Sequence, residues 1–286
     1  MSAMPTTEDM PEVPRPRKAY DNAEFLHSPA ARSLRILAEY LHPATQFRLE
    51  DVQHTIIFFG SARIRSPQQF QYEVEALQLH IERSIGAEQQ RAKERLTRLL
   101  QQAELCQYYD DAVELARLIT AWSLELPPQK RFYICTGGGP GIMEAGNKGA
   151  YLAGGKSIGL NISIPYEQVP NPYITPELNF EFHYFFMRKF WFAYLAKAMV
   201  IFPGGFGTLD ELMEILTLVQ TGKIRKRMPI CIYGEEFWRR VLNFEYMAEV
   251  GVITPEDLQL FHFVNSPQEA FEHLRSELST IHNLND

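Results

Sequence analysis

One stretch of twenty residues, Ala198 to Thr217, limits the possible folds more than any other part of the chain. It begins with an apolar run, Met199 to Phe202, that is long enough for a strand buried on both faces. A proline and three glycines then form a turn up to Gly207, and leucine recurs at helical spacing from Thr208 onward. A buried strand, a glycine turn and a helix N terminus together expose backbone N–H groups at the positive end of a helix dipole. The stretch therefore predicts a cradle for a phosphate group.

The carboxylate of Glu211 inside this stretch has two interpretations. Thr208-x-x-Glu211 matches a capping box, in which Thr208 is the N-cap and Glu211 reaches back to its N–H. A carboxylate in the first turn would repel a bound phosphate, however. A glutamate at this position is also explained if it faces the reacting end of a ligand, and the local sequence leaves both interpretations open.

The order of strand, glycine turn and helix recurs along the chain. The predicted strand His54–Gly60 runs into a turn suited to anion contact, and a second strand leads to the loop Gly137–Gly141. This alternation predicts an α/β fold with a doubly wound, mainly parallel, Rossmann-like sheet. Ligands of such sheets bind at the carboxyl ends of the strands, so the glycine turns are expected to line one cleft.

The segments outside this pattern suggest how the chain is organised. Residues 1–22 contain four prolines among polar residues and are predicted to form a disordered or extended arm. Residues 23–286 are assigned to a single domain, with residues 67–126 as a helical insertion. A charged, glutamine-rich middle makes the insertion a solvated face, an oligomer contact or an interaction module.

Composition excludes several classes of function. The net charge of −7 argues against nucleic acid or an anionic membrane as the main partner. Charged residues interrupt the most apolar window, Tyr184–Phe202, which argues against a membrane span. Cys106, Cys135 and Cys231 are far apart, which is typical of reduced thiols in a cytosolic protein, and no signal peptide is evident. The eight histidines form no metal-binding cluster, so no metal is predicted.

Common nucleotide and hydrolase motifs are absent from the sequence. The loop Gly137–Gly141 does not form G-x-G-x-x-G, because Glu144 occupies the third position, and no Gly-Lys-Ser/Thr follows any of the turns. No G-x-S-x-G elbow is present, and Ser61 has no evident histidine partner. The cleft is therefore predicted to hold a mononucleotide.

Two further positions carry charge near the predicted cleft. Arg188 and Lys189 lie in the most aromatic part of the chain, Phe185–Phe192, so their helix is expected to be buried nearly all round. Snorkelling to solvent is the alternative, but buried cations need anionic partners such as a phosphate or Glu211. Glu167 lies between two prolines after a predicted strand, as a solvated loop residue or a cleft contact.

These motifs together resemble the LOG ("Lonely Guy") family. Pro203–Glu211 matches its P-G-G-x-G-T-x-x-E signature, and Gly137–Met143 is similar to its G-G-G-x-x-G-L-M loop. Met187–Lys189 resembles the end of its M-H-x-R-K motif without the histidine. The motifs occur in the expected order over about residues 54–235, and the additional segments resemble the longer bacterial branch, which includes nucleotide monophosphate nucleosidases.

The resemblance implies hydrolysis of the N-glycosidic bond of purine nucleoside 5′-monophosphates, AMP or cytokinin ribotides, giving free base and ribose 5-phosphate. Arg188 and Glu211 are then the catalytic pair, and no cofactor is needed. Members often carry the label lysine decarboxylase, which requires a pyridoxal phosphate lysine that this sequence does not show. The predicted substrate-binding residues are Ser61, Gly138, Gly139, Gly141, Met143, Glu167, Lys189, Gly204, Gly205, Gly207, Thr208 and Thr217.

Elementary chemistry agrees with this pair. Hydrolysis of a ribosyl bond passes through an oxocarbenium-like state, which a carboxylate such as Glu211 stabilises while it activates water. Arg188 could orient Glu211, bind the phosphate or assist the leaving base, and the sequence does not decide. The rival function is a non-catalytic carrier of a nucleotide or a molybdenum-pterin cofactor. Phe185, Phe186, Phe190 and Trp191 on one helix further predict a homodimer or higher oligomer.

Overall fold

The computed structural model describes residues 14–165 and 169–284 of the chain. The chain divides into two compact units, with the boundary between His42 and Pro43. Most of the predicted arm, residues 1–13, lies outside the described residues, and a short 3₁₀ turn forms at Ala19–Asp21. The assignment of residues 23–286 to a single domain stays a prediction.

The first unit consists of short helical segments. Helix α1 (Ala23–His27) begins after Asn22, whose side chain accepts a hydrogen bond from the Phe25 amide at 3.2 Å. Helix α2 (Arg32–Leu49) begins in this unit, and its residues after His42 belong to the second unit. Arg35 Nη1 donates to the carbonyls of Leu26 and Ser28 at 2.6 and 2.7 Å.

The second unit contains a seven-stranded sheet in which every strand pair is parallel. The strands are β1 (His54–Phe59), β2 (Phe132–Thr136), β3 (Ser157–Ile162), β4 (Asn179–Phe182), β5 (Ala196–Ile201), β6 (Ile230–Tyr233) and β7 (His262–Val264). Their spatial order is β4-β3-β2-β1-β5-β6-β7. The sheet is apolar on both faces, since five of the six residues of β1 are buried. The predicted α/β, doubly wound fold is confirmed.

Helices connect these strands. They are α3 (Pro67–Arg83), α4 (Gly86–Leu100), α5 (Gln107–Glu125), α6 (Ile142–Leu152), α7 (Phe185–Leu195), α8 (Phe206–Gln220), α9 (Glu235–Val241), α10 (Phe244–Glu249) and α11 (Pro267–His282). The predicted helical insertion, residues 67–126, thus forms α3, α4 and α5. Helices α9 and α10 are separate, because the Asn243 side chain accepts from the Tyr246 amide at 2.8 Å and caps α10.

Strand order places the candidate site. From β1 the chain winds outward through β2, β3 and β4, and then returns to the other side of β1 at β5. Reversal of direction opens a crevice at the carboxyl ends of the strands on either side. Two hydrogen bonds close the loops there: the Ser61 amide donates to the Pro203 carbonyl at 3.0 Å, and the Ile142 amide donates to the Ser61 carbonyl at 3.2 Å.

Candidate active site

A cavity of about 720 Å³ opens at the carboxyl ends of β1 and β5, within the size range of small-molecule sites. It brings together eight of the predicted residues: Ser61, Met143, Arg188, Gly204, Gly205, Gly207, Thr208 and Glu211. The other lining residues are Phe59, Gly60, Ala62, Arg63, Ile162, Phe185, Phe206, Leu209, Asp210 and Val241. Residues from the ends of β1, β3 and β5 therefore meet residues of α6, α7, α8 and α9 at one site.

The turn after β5 supplies the amides of the cradle. Helix α8 begins at Phe206, and its first intrahelical hydrogen bond runs from the Leu209 amide to the Gly205 carbonyl at 2.9 Å. The amides of Phe206, Gly207 and Thr208 come before this first bond, so they have no acceptor within the helix and point out of its N-terminal end. A Cβ added to Gly205 would meet no atom within 4 Å, which leaves room for a ligand to approach the backbone. The glycine turn and the helix N terminus are thus where the sequence predicted them, and phosphate binding there stays a prediction.

The capping box predicted as one interpretation of this turn is not formed. Helix α8 begins two residues before Thr208, so Thr208 lies inside its first turn and is not the N-cap. A Cβ on Gly204 would collide with the Thr208 hydroxyl, so the side chain packs against this glycine. Glu211 consequently lies in the second turn, not the first, and its side chain lines the cavity.

The Glu211 carboxyl is buried and electrostatically perturbed. Only 4% of the residue is exposed, and no described residue donates a hydrogen bond to its carboxylate. Burial raises the pKa of Glu211 to about 7, against the lowering effect of the Lys189 and Arg188 charges. A carboxyl with this pKa exchanges protons readily near neutral pH, as a general base or acid must.

The Arg188 guanidinium is fixed from two sides. Its Nε donates to the Leu160 carbonyl in β3 at 2.7 Å, and it lies 5.1 Å from the centre of the Phe192 ring. A Cβ on Gly137 would sit 2.5 Å from Nη2, so the glycine is needed at the end of β2. Burial lowers the pKa of Arg188, and the charge of Glu211 opposes this effect. The sequence correctly predicted a buried Arg188 near an acid.

The expectation that α7 is buried nearly all round is wrong. Phe185, Phe186 and Tyr194 are more than half exposed, whereas Arg188 and Trp191 are buried. One side of α7 packs against the sheet and the other faces outward, so the helix is amphipathic despite its uniformly apolar sequence.

The glycine loop after β2 contributes to the structure around the cavity without lining it. Gly138 and Gly141 have positive φ values of 75° and 71°, which favour glycine. A Cβ on Gly141 would collide with the Ser61 carbonyl oxygen. The Gly139 carbonyl accepts from Asn171 Nδ2 at 3.1 Å. The predicted substrate contacts of Gly138, Gly139 and Gly141 therefore stay predictions, while their packing roles are evident.

The remaining predicted residues lie elsewhere or outside the described residues. Lys189 Nζ forms ion pairs with Asp210 at 2.8 Å and Glu214 at 2.5 Å, and it lines a separate groove beside α7. Burial lowers the pKa of Lys189, but hydrogen bonds with these two acids more than offset this effect and raise it. Thr217 is exposed, and its hydroxyl donates to the carbonyl one turn earlier, at Met213. Glu167 lies outside the described residues.

Several cavity residues were not predicted from the sequence. Arg63 lies four residues after β1, in the turn that the sequence predicted to suit anion contact, but it was not named as a site residue. Phe206 is 93% exposed at the start of α8, a rare exposure for phenylalanine. Val241 reaches the cavity from the end of α9, and nothing in the local sequence indicates this.

Metal-binding clusters and membrane spans are both absent from residues 14–165 and 169–284. No group of three or more histidine, cysteine, aspartate or glutamate side chains is placed there to hold a metal ion. In this part of the chain, every helix is too short or too polar to cross a membrane.

Comparison with known proteins identifies relatives of modest similarity. A family model described as "Possible lysine decarboxylase" matches residues 143–274. The probable cytokinin riboside 5′-monophosphate phosphoribohydrolase LOGL3 of Oryza sativa is 27% identical, over 58% of this chain and 75% of that protein. The corresponding enzyme LOG1 of Arabidopsis thaliana is 29% identical, over 52% and 66%.

A bacterial relative is also similar over a shorter region. The pyrimidine/purine nucleotide 5′-monophosphate nucleosidase of Escherichia coli is 34% identical, over 35% of this chain and 24% of that protein. Among solved structures, the molybdenum cofactor carrier protein of Chlamydomonas reinhardtii aligns with a TM-score of 0.44 at 17% identity, over 79% of this chain and 99% of that chain. Similarity at that level does not bear on function.

Proposed function

We propose that this chain is a LOG-family enzyme that hydrolyses the N-glycosidic bond of nucleoside 5′-monophosphates. The products are the free base and ribose 5-phosphate. The observation that carries the proposal is the buried Glu211 carboxyl, which lines the same cavity as the unpaired amides of α8. A phosphate held by those amides would set its sugar beside the carboxylate.

The chemistry follows from this arrangement. As the bond between C1′ and the base nitrogen breaks, positive charge develops on the sugar, and the Glu211 carboxylate stabilises it. Water adds to C1′ and gives one proton to Glu211, which passes this proton on to the nitrogen of the leaving base, so that the carboxylate is restored. The buried Arg188 charge favours the ionised form of Glu211, so we assign Arg188 to holding the carboxylate in its reactive state.

Incubation with AMP tests this proposal. Chromatography should show adenine and ribose 5-phosphate in equal amounts, and Glu211→Gln should lower kcat by a factor of about 100 or more. Glu214→Gln is the matched control, because Glu214 lies one turn away in α8, pairs with Lys189 and does not line the cavity. Full activity in Glu211→Gln would remove this residue from the mechanism, and tight AMP binding without base release would favour a carrier.

The proposed function also includes a preference for one class of nucleobase in the substrate. We propose a purine, with AMP or an N6-substituted AMP as substrate, because Phe185, Phe206 and Val241 offer exposed apolar surface around the cavity. A panel of adenine, guanine, cytosine and uracil 5′-monophosphates tests this preference. Faster hydrolysis of the pyrimidine nucleotides would contradict it.

We also propose that the protein forms a homodimer through α7. Phe186, Phe190 and Tyr194 follow one another at helical spacing and expose 51%, 37% and 58% of their surface. Phe186→Asp should shift the sedimentation coefficient toward that of a monomer. Tyr72→Asp, at a residue 74% exposed on α3, is the control. A wild-type monomer at micromolar concentration would contradict the proposal.

A cytosolic location is proposed as well, since the three cysteines are free thiols.

A further inference from the structure

Arg63 lies where the candidate active site meets a second, smaller cavity. It lies four residues after the end of β1, is exposed, and lines the 720 Å³ cavity. It also lines a cavity of about 200 Å³, and the two cavities share Ser61, Arg63 and Gly204. Within the described part of the chain, the Arg63 guanidinium has no hydrogen bond or ion pair. Its donors are therefore available to a ligand.

The charges around the cavity require a cation at this end. Asp210 and Glu211 line the cavity, and an anionic substrate adds further negative charge. Arg188 is buried, with its Nε bound to a carbonyl oxygen. Lys189 does not line the cavity, and it is paired with Asp210 and Glu214. Of the cations named here, Arg63 is the one with donors available beside the N terminus of α8, where Gly204 lies.

The helical insertion holds the loop that carries Arg63. Arg65 Nη1 donates to the Arg63 carbonyl at 3.1 Å and to Gln102 Oε1 at 2.9 Å, and Arg65 Nε pairs with Glu73 at 2.6 Å. Glu73 belongs to α3, and Gln102 follows α4. Both lie in the insertion, so this segment fixes the backbone conformation of the loop from outside the cavity.

We propose that Arg63 binds the phosphate of the substrate opposite the amides of α8, and that Arg65, held by Glu73 and Gln102, is its positioning residue. An arginine suits this role because its guanidinium forms paired hydrogen bonds with phosphate oxygens. The inference rests on the proposed function and gives the helical insertion a part in substrate binding. It is specific for a phosphate monoester, since the free nucleoside lacks the group that Arg63 contacts.

Binding and kinetics of Arg63 variants test the first part. Arg63→Ala should raise the KM for AMP and the Kd for ribose 5-phosphate by about 10- to 100-fold, the usual effect of losing a hydrogen bond to a charged group. Arg63→Lys should fall between this variant and wild type. The kcat/KM ratio of AMP to adenosine should drop by the same factor. Arg95→Ala, an exposed arginine of α4, matches the change in net charge and should have no effect.

A double-mutant cycle tests the positioning role. Glu73→Gln should raise the KM for AMP by about 2- to 10-fold at unchanged kcat and melting temperature, because it loosens Arg65 without touching the cavity. In the Arg63→Ala background the same substitution should have no further effect. An equal effect of Glu73→Gln in both backgrounds would overturn the positioning role.

The outcomes separate this inference from the proposed function. If wild type hydrolyses AMP and Arg63→Ala leaves KM and Kd within twofold, the role of Arg63 is wrong and the enzymatic function stands. If wild type binds AMP and ribose 5-phosphate through Arg63 but releases no base, the enzymatic function is wrong and the phosphate site stands. Failure of wild type to bind either compound overturns both.

Discussion

The stability of the Glu211→Gln variant relative to wild type should increase with pH. The native structure holds the Glu211 carboxyl at a pKa of about 7, against an ordinary value of 4.5, mainly because of burial. A group whose pKa is raised by folding stabilises the native state fully below pH 4.5, and this contribution is lost as pH rises through 7. Above pH 7 the buried carboxylate is ionised and destabilises the native state, whereas a glutamine at this position stays neutral.

The size of the effect follows from the two pKa values. Each tenfold change in an ionisation constant is worth about 1.4 kcal/mol, so the full cost of ionising Glu211 in the folded state is ~3 kcal/mol. At pH 5 only ~1 kcal/mol of this cost is present, because most of the native carboxyl is still protonated. The stability difference between the variant and wild type should thus increase by ~2 kcal/mol between pH 5 and pH 8.

Urea unfolding of both proteins at several pH values measures this increase. The buried glutamine amide adds a cost of ~1–3 kcal/mol that does not depend on pH, so the slope is diagnostic and the absolute difference is not. Asp210→Asn is the control, since the Asp210 side chain is 57% exposed and its loss should change stability by ~0–1 kcal/mol. A Glu211→Gln difference that stays constant from pH 5 to pH 8 would refute the raised pKa.

Three further outcomes are expected. The kcat/KM for AMP should rise with pH to a plateau with an apparent pKa of about 7, that of Glu211, and a midpoint near 6 would assign the change to the substrate phosphate instead. Gly137→Ala should fold but lose at least tenfold in kcat, because its Cβ would sit 2.5 Å from the Arg188 guanidinium and displace it; a normal kcat would contradict the arrangement. Gly205→Ala should keep the wild-type melting temperature in calorimetry and raise the KM for AMP severalfold in steady-state kinetics, and an unchanged KM would locate the phosphate elsewhere.

The sheet and the cradle could be predicted from the sequence because both depend on local patterns. Apolar runs such as Met199–Phe202 identify strands buried on both faces, and the glycines after them identify sharp turns. Parallel topology then places the turns at one edge without further information. The local pattern gave the wrong N-cap at Thr208. The helix begins two residues earlier, at Phe206, so Thr208 lies in its first turn.

The misplaced features all depend on contacts between distant segments. Lys189 was expected in the cleft with Arg188. Its ammonium instead forms ion pairs with Asp210 and Glu214, which lie on one face of α8. The exposed side of α7 was only partly recognised: Trp191 was grouped with the exposed Phe185, Phe186 and Phe190 although it is buried, since the sequence of α7 is apolar on both sides. Arg63 was not assigned to the site because its donors become significant only beside Gly204, 141 positions later in the chain.

The connection between α7 and α8 explains how Arg188 and Glu211, which are distant in the sequence, are positioned in one site. Helix α7 ends at Leu195 and β5 begins at the next residue, so no loop separates the helix of Arg188 from the strand. Strand β5 pairs with β1 over its length and continues through the glycine turn into the helix of Glu211. Both side chains are therefore positioned by the register of one central strand. Such rigid placement is what a buried carboxylate with a raised pKa requires, because any movement that admitted water would return its pKa toward the ordinary value.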